Sequence, residues 1–434
     1  MPSVPRKTTL LLPVLALAAL VVYLLRRAPD ESPAGNPPPS PALAKGALSL
    51  LGEPPDWSRL NLYQNTINRA DFERLLTTVF VTGGAWREFI EIRDDAALIR
   101  TGSPSDPRVF HLRFAPAGLE EKPTRMWKSS ADLPPAPQGK PLDGLHIAID
   151  PGHIGGEWAM IEERWMKAGD HPPVQEGDMT LLVAQLLRPR LEALGARVTL
   201  VREKNEPVTP LRPDALLAVA RQTPPDDDSP AALRLLAERL FYRTAEIRAR
   251  AKMVNETIKP DLVLCLHFNA EAWGDAANPT FVDHTHFHLL LNGGYTDGEI
   301  AMADQRFSML DKLLGGTHRE EADVGATVAD VFSRRSALPP YLYPPDSPTV
   351  RPVNANPYLW ARNLLANRLY ACPVIFMEPY VMNSTVDHPR LVAGDYEGMR
   401  EINGRMRPSI FREYADALTE GLREHYAGRR GVAE

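Results

Sequence analysis

The sequence predicts an α/β protein: a mostly parallel, open sheet with helices on both faces, preceded by a small α+β domain and an N-terminal transmembrane helix. Three observations predict it. From about residue 143 to residue 427, apolar strand-like runs alternate with segments of helical period, as in sheets built from strand–helix–strand units. Residues 48–115 carry one helical stripe and two alternating runs of their own, too few for more than a small core. Thr8 to Leu25 is an uncharged run of eighteen residues flanked by Arg6, Lys7, Arg26 and Arg27. That length is near the minimum for a bilayer span.

Residues 1–27 therefore read as an uncleaved signal anchor, with a cleaved signal peptide as the alternative, since no small-residue cleavage site follows the arginines. Basic residues on both flanks leave its orientation open. Residues 28–47 form a Pro-rich linker of extended character. In the small domain, 48–115, Phe72, Leu75, Leu76, Val79 and Phe80 fall at helical spacing, Asn68 is placed to cap, and "EFIEIR" and "VFHLRFA" alternate as strands. No cluster of catalytic residue types occurs there, so it reads as a binding or spacing module. A second Pro-rich linker, 116–142, leads into the large domain, 143–427.

That domain opens with "LHIAID" as a strand. A helix follows from about residue 176 to 194, with Met179, Leu182, Val183, Leu186 and Leu191 as its buried stripe and Pro189 expected to kink it or end it early. "ARVTLV" is the next strand, and a long helix carries Leu236, Leu240, Ile247, Ala251, Val254 and Ile258. "DLVLCLHFNA", "THFHLLLN" and "CPVIFMEPYV" are strongly apolar strands, and "SIFREYADALTEGLREHY" closes the chain as an amphipathic helix. Prolines number 42, about twice average usage, and cluster in the linkers and late loops. A net charge of -6 gives no electrostatic case for nucleic acid. With only Cys265 and Cys372, no disulfide framework holds the fold, and both thiols read as buried core.

The chemistry collects at strand ends. "IAIDPGHIGG" ends a strand in Asp150, bends at Pro151 and Gly152, and presents His153. A second apolar strand ends at His267, a third near Glu378, and Glu176 opens a helix. Strand ends are where open α/β sheets bind ligands. Two imidazoles and one carboxylate make the ligand set of a catalytic Zn2+, with a position left for water. A further carboxylate, not bound to metal, can then move protons between water and leaving group.

These residues carry a resemblance. "AIDPGHIGG", Glu176 in "QEGDMTLLVAQLL", "GARVTLVRE", "IRARAKMVN", "LCLHFNA" and "VIFMEPYVMN" stand in the order found in zinc-dependent N-acetylmuramoyl-L-alanine amidases of the amidase type 3 family. The resemblance covers about two-thirds of the chain and none of its first 142 residues. It implies an amidase type 3-like fold, zinc on His153, Glu176 and His267, Glu378 as catalytic base, and supporting roles for Arg202, Arg248, Asn255, Asn269 and Asn383. It also implies peptidoglycan as partner and substrate, cut between N-acetylmuramic acid and L-alanine, and a membrane-anchored protein whose catalytic domain lies outside the cytoplasmic membrane, periplasmic or extracellular. A regulatory protein partner is a further expectation.

Several positions depart from the family pattern. Ile154 interrupts the double glycine, Cys265 stands where a serine is preferred, and Pro379 follows Glu378. Insertions occupy about residues 203–234 and 271–298, and a third expansion runs through "LPPYLYPPDSPTVRPVNANPYLW". Two alternatives stay open: a zinc hydrolase of the same fold acting on another amide or peptide, and a non-catalytic wall-binding or regulatory protein. Glu162, Glu163 and His171 compete with Glu176 on sequence grounds, and an ion pair with an arginine such as Arg368 is the plain alternative for Glu378. His284, His286 and His288 share one strand face, either as a solvated, tautomer-paired row or with one of them holding substrate or an added metal.

Overall fold

The computed structural model describes residues 47–222 and 229–431. The expected anchor, nearly all of the first Pro-rich stretch and the acidic run at 225–228 lie outside the described residues. Among the described residues no helix is long and apolar enough to cross a membrane.

Two sheets organise the chain. The first is an antiparallel meander of β1 (Ile90–Ile92), β2 (Ala96–Arg100) and β3 (Val109–Arg113). It packs with the helix Arg69–Leu75, whose N-terminus is capped by Asn68 Oδ1 accepting from Asp71 N at 2.9 Å. The short run "AALIR" forms β2, a strand the sequence reading passed over because it lacks clear alternation.

The second sheet has seven strands. They are β4 (His146–Pro151), β7 (Arg197–Leu200), β8 (Leu262–Leu266), β9 (Phe287–Leu291), β10 (Val350–Pro352), β11 (Leu359–Arg362) and β12 (Val374–Pro379), with a small hairpin of β5 (Trp165–Met166) and β6 (Val174–Gln175) outside it. The spatial order is β10-β11-β9-β12-β8-β4-β7. β7, β4, β8 and β12 run parallel, but β9 pairs antiparallel with β12, and β10 antiparallel with β11. Four of the six pairings are parallel, so the sheet is mostly parallel as expected, with a reversal of direction at β9 and again at β10. The reason for the reversal at β9 lies in the connection: β8 and β9 are joined by an insertion without a crossover helix, so the chain re-enters the sheet at the same end it left and runs back antiparallel.

Alternation builds two cores from one sheet. Ile147, Ile149, Leu262, Leu264, Leu266, Leu289, Leu291, Ile375 and Met377 point to the face covered by the helices Glu176–Ala193, Thr317–Ser336 and Ile410–Arg430. Ala148, Val263, Cys265, Leu290, Val374 and Phe376 point to the other, under the helical segment Glu246–Ile258 and Leu365–Leu369. Strands buried on both faces read as continuous apolar runs, which is why they were legible. Helix Glu176–Ala193 continues through Pro189; burial of Leu187 and Leu191 offsets the missing backbone bond. The insertion after β7 is not merely a polar surface loop. Its helices Pro213–Gln222 and Pro230–Arg239 bury Leu216, Ala220 and Ala237 around Ile154.

Candidate metal centre

β4, β8 and β12 are adjacent and parallel, so their C-terminal ends bring residues distant in sequence to one edge of the sheet. From β4 the chain passes Pro151 and Gly152 and reaches His153 in the left-handed region, φ 58°. A non-glycine residue there is strained. Glu162 holds the turn: its carboxylate accepts from Ile154 N at 2.8 Å and Gly155 N at 2.9 Å, and lies 3.5 Å from His153 Nδ1. Ile154, fully buried among the inserted helices, anchors the same turn, so its place between the glycines has a packing reason.

That arrangement turns His153 Nε2 towards Glu176 Oε2, 3.2 Å away. Glu176 is the first residue of its helix and is buried. Its Oε1 meets His267 Nδ1 at 2.9 Å and accepts from Phe268 N at 3.1 Å. His267 follows β8, with its ring stacked on Phe376 at 4.4 Å and 13°. Ligand atoms of His153, Glu176 and His267 all lie within 4.8 Å of one another. Glu378, at the end of β12, lines the same small pocket with His153, Arg164, Glu176, Phe268, Asn269 and Ala270.

The electrostatics favour a cation. Burial pushes His153 well below the ordinary imidazole range, so the ring is neutral and one nitrogen lone pair is available for a metal. At Glu176 burial works against ionisation, but His153, the hydrogen bond to His267 and Arg164 outweigh it and hold the carboxyl low. Burial likewise opposes a charge on His267, yet its bond to Glu176 and the carboxylates of Glu378 and Glu176 push it up. Glu378 is pushed up to about 7, chiefly by burial, with the Glu176 charge adding to it. Glu378 Oε1 is buried with no hydrogen-bond partner among the described residues, and Glu176 Oε2, though paired in charge with Arg164, accepts no hydrogen bond. Such orphans in a native fold call for an ion or another polar partner. Two histidines and one carboxylate with a carboxylate oxygen to spare fit zinc, whose catalytic sites use that donor set.

The other singled-out residues divide by position. Arg202 donates to Pro151 O at 3.1 Å and to the Gly152 and Gly177 carbonyls, joining the His153 turn to the helix that carries Glu176. Asn269 lines the pocket, and its Oδ1 accepts from Ala270 N at 2.8 Å. Asn383 lies one step out, accepting from Glu271 N at 2.9 Å and donating to Thr280 O at 3.0 Å. Arg248 is not brought to the site; it donates to Ser49 Oγ at 2.9 Å and pairs with Asp304 at 3.5 Å. Asn255 braces the far side of the fold through Leu369 O and Ala371 N. Glu163 is taken by Arg239, Tyr242 and Arg243, and His171 faces His388. Arg368 donates to Gln305 and Asn363, both at 2.8 Å, rather than to Glu378.

Two residues were missed. Arg250 donates to Asp150 Oδ1, Pro151 O and His153 O, each at 2.8 Å, and so fixes the backbone of a candidate ligand. Arg164 sets its Nε 3.1 Å from Glu176 Oε2. Arg250 was within reach of a pattern, standing two residues from Arg248 in the same motif; nothing in the irregular loop around Arg164 marks it.

No protein-family model matches the chain, and no curated protein matches its sequence. Several solved structures are similar to it. They include the apo form of the N-acetylmuramyl-L-alanine amidase Ami1 from Mycobacterium abscessus, 17% identical, covering 65% of this chain and 99% of that one with a TM-score of 0.34. The N-acetylmuramoyl-L-alanine amidase AmiC2 of Nostoc punctiforme is 13% identical over 65% of this chain and 97% of its own, TM-score 0.32. The CwlD amidase from Clostridioides difficile, in complex with the GerS lipoprotein, is 10% identical over 66% and 100%, TM-score 0.36. At these TM-scores the likeness decides neither metal nor substrate.

Proposed function

We propose that this chain is a zinc-dependent N-acetylmuramoyl-L-alanine amidase that hydrolyses the amide between N-acetylmuramic acid and L-alanine in peptidoglycan. The observation that supports it is the convergence of His153, Glu176 and His267 on one point, with Glu378 in the same pocket. The motif order in which those residues stand supplies the substrate class. His153, Glu176 and His267 would hold a zinc ion, which when bound would supply Lewis acidity towards the amide carbonyl and a bound water.

The chain's own residues do the remainder. Glu378 faces the pocket with a buried oxygen free to accept a proton from water and deliver it to the departing nitrogen. Glu162 and Arg250 hold the His153 turn, and Phe376 and Gly152 bracket the His267 ring, so the donor set is preorganised. Peptidoglycan lies outside the cytoplasmic membrane, so residues 1–27 are proposed to tether the catalytic part there.

Incubating the full chain with purified sacculi should release stem peptides with a free L-alanine amine. Glu378→Gln should keep the zinc and lose hydrolysis by about 10²–10⁴-fold. A Gln variant that cleaves like the parent removes Glu378 from the mechanism, and intact sacculi with a zinc-loaded parent remove the substrate.

A further inference from the structure

We propose that Glu271, His284 and His286 form a second divalent-metal site, of the zinc class, which staples the base of an inserted loop beside the first centre. The proposal goes beyond the amidase reading and does not depend on its substrate.

Ligand atoms of the three residues lie within 4.8 Å of one another. His286 Nε2 is 3.1 Å from Glu271 Oε1, and His284 Nε2 is 3.4 Å from the same oxygen. Tetrahedral zinc with bonds of about 2.0–2.2 Å separates its donors by about 3.3–3.5 Å, close to the two imidazole–carboxylate spacings here, so these donors need little rearrangement to close on an ion. Imidazole nitrogens with one carboxylate select zinc and its neighbours over calcium or magnesium, which take oxygen donors.

The donors are set by backbone as well as by side chains. Glu271 N is fixed to Asn383 Oδ1, and Val282 N donates to Asn383 O at 3.0 Å, so both flanks of the loop are pinned to the turn after β12. Among the intervening residues, Ala276 O accepts from Lys167 N at 2.8 Å, tying the loop to the hairpin between Arg164 and Glu176. The His286 side chain is 6% exposed, with its ring 4.6 Å from that of Tyr341. His284 is 54% exposed, which leaves the remaining coordination positions to water. Asp283 lies 3.7 Å from His284 Nδ1 and adds negative charge beside the cluster without a hydrogen bond to it. Glu271 and His284 are far enough apart in sequence that an ion between them closes the loop and restricts its open forms.

Without metal, the same atoms form a hydrogen-bonded pair, His286 Nε2–H donating to Glu271 and Asn269 Nδ2 standing 3.4 Å from His286 Nδ1. Zinc stoichiometry separates the two. The full chain, stripped with chelator and equilibrated with zinc chloride, should bind two equivalents. His284→Ala, at an exposed position that folding does not depend on, and Glu271→Gln should each bind one; His153→Ala should also bind one, and His153→Ala with His284→Ala none. Zinc should slow thermolysin cleavage within 272–283 in the parent and in His153→Ala, but not in His284→Ala. One equivalent in the parent that His153→Ala abolishes and His284→Ala retains overturns the proposal. One equivalent that His284→Ala abolishes and His153→Ala retains upholds it while refuting the first centre.

Discussion

A methyl group at Gly152 would stand 2.3 Å from His267 Cε1, 2.4 Å from its Nε2 and 2.6 Å from Leu266 O. Neither neighbour can yield cheaply. The ring is held between Phe376 and Glu176, and Leu266 O accepts from Gly152 N at 2.8 Å within the strand-end register. Gly152→Ala should therefore displace His267 and cost about 10–100-fold in zinc affinity at the first centre, the range seen when a ligand's support is lost. Competition with a chromogenic chelator measures it, and parental affinity would contradict it. His153, Glu176, His267 and Glu378 were legible because titratable residues ending apolar strands or opening a helix are a pattern in one dimension. Arg248 and Arg250 show where that ends. Two positions apart on a helix they point about 200° apart, and only the packed structure says which faces β4. Arg164 has no periodic context at all, so its place beside Glu176 is purely tertiary.

Among elements, the helices Thr317–Ser336 and Ile410–Arg430 pack on one another over the sheet; the second buries His425, and the first holds His318, half-buried, against Phe80. Burial pushes both His318 and His425 down to about 4. His425 is buried near Thr327 Oγ1, with Arg429 reinforcing the shift. Unfolding returns each to about 6.5, so between pH 6.5 and 4 the unfolded chain binds more protons and stability falls as pH falls. Each histidine contributes a slope approaching about 1.4 kcal/mol per pH unit in that window. His425→Gln should flatten the decline in denaturant midpoint between pH 6.5 and 4.5 relative to the parent; parallel curves would refute the assignment. Of these helices only Ile410–Arg430 was read from its stripe, as were the doubly buried strands; Thr317–Ser336 was not singled out from the sequence. The reversal of β9 was not, because strand direction depends on how the preceding insertion returns to the sheet, and an apolar run carries no sign of its direction. Pro189 misled for a related reason: local propensity argues for a break, while burial along the rest of the helix decides otherwise.

At the scale of the molecule, residues 48–115 are less separate than their composition implied. Their apolar residues Leu60, Phe72, Phe80 and Phe89 join the same core as the sheet and helix Ala303–Gly315. Tyr63 donates to Asp311 at 3.0 Å, and Trp57 meets Phe307 edge-on at 5.4 Å. Arg306 crosses the junction fully buried, donating to Ile300 O at 2.6 Å, Arg100 O at 3.2 Å and Gly102 O at 2.8 Å, with its guanidinium over Phe89 at 4.1 Å. A shared core and a buried cation satisfied from both sides couple the two parts, so calorimetry of the described region within the full chain should show one unfolding transition. Arg306→Leu leaves carbonyls on both sides of the junction without their donor, a loss of about 1–3 kcal/mol for each that stays dry. The expected outcome is a lower midpoint for that same single transition. Two resolved transitions in the parent, or an N-terminal unit that melts separately in Arg306→Leu while the midpoint of the remainder stays fixed, would show that the junction is a contact between independent domains.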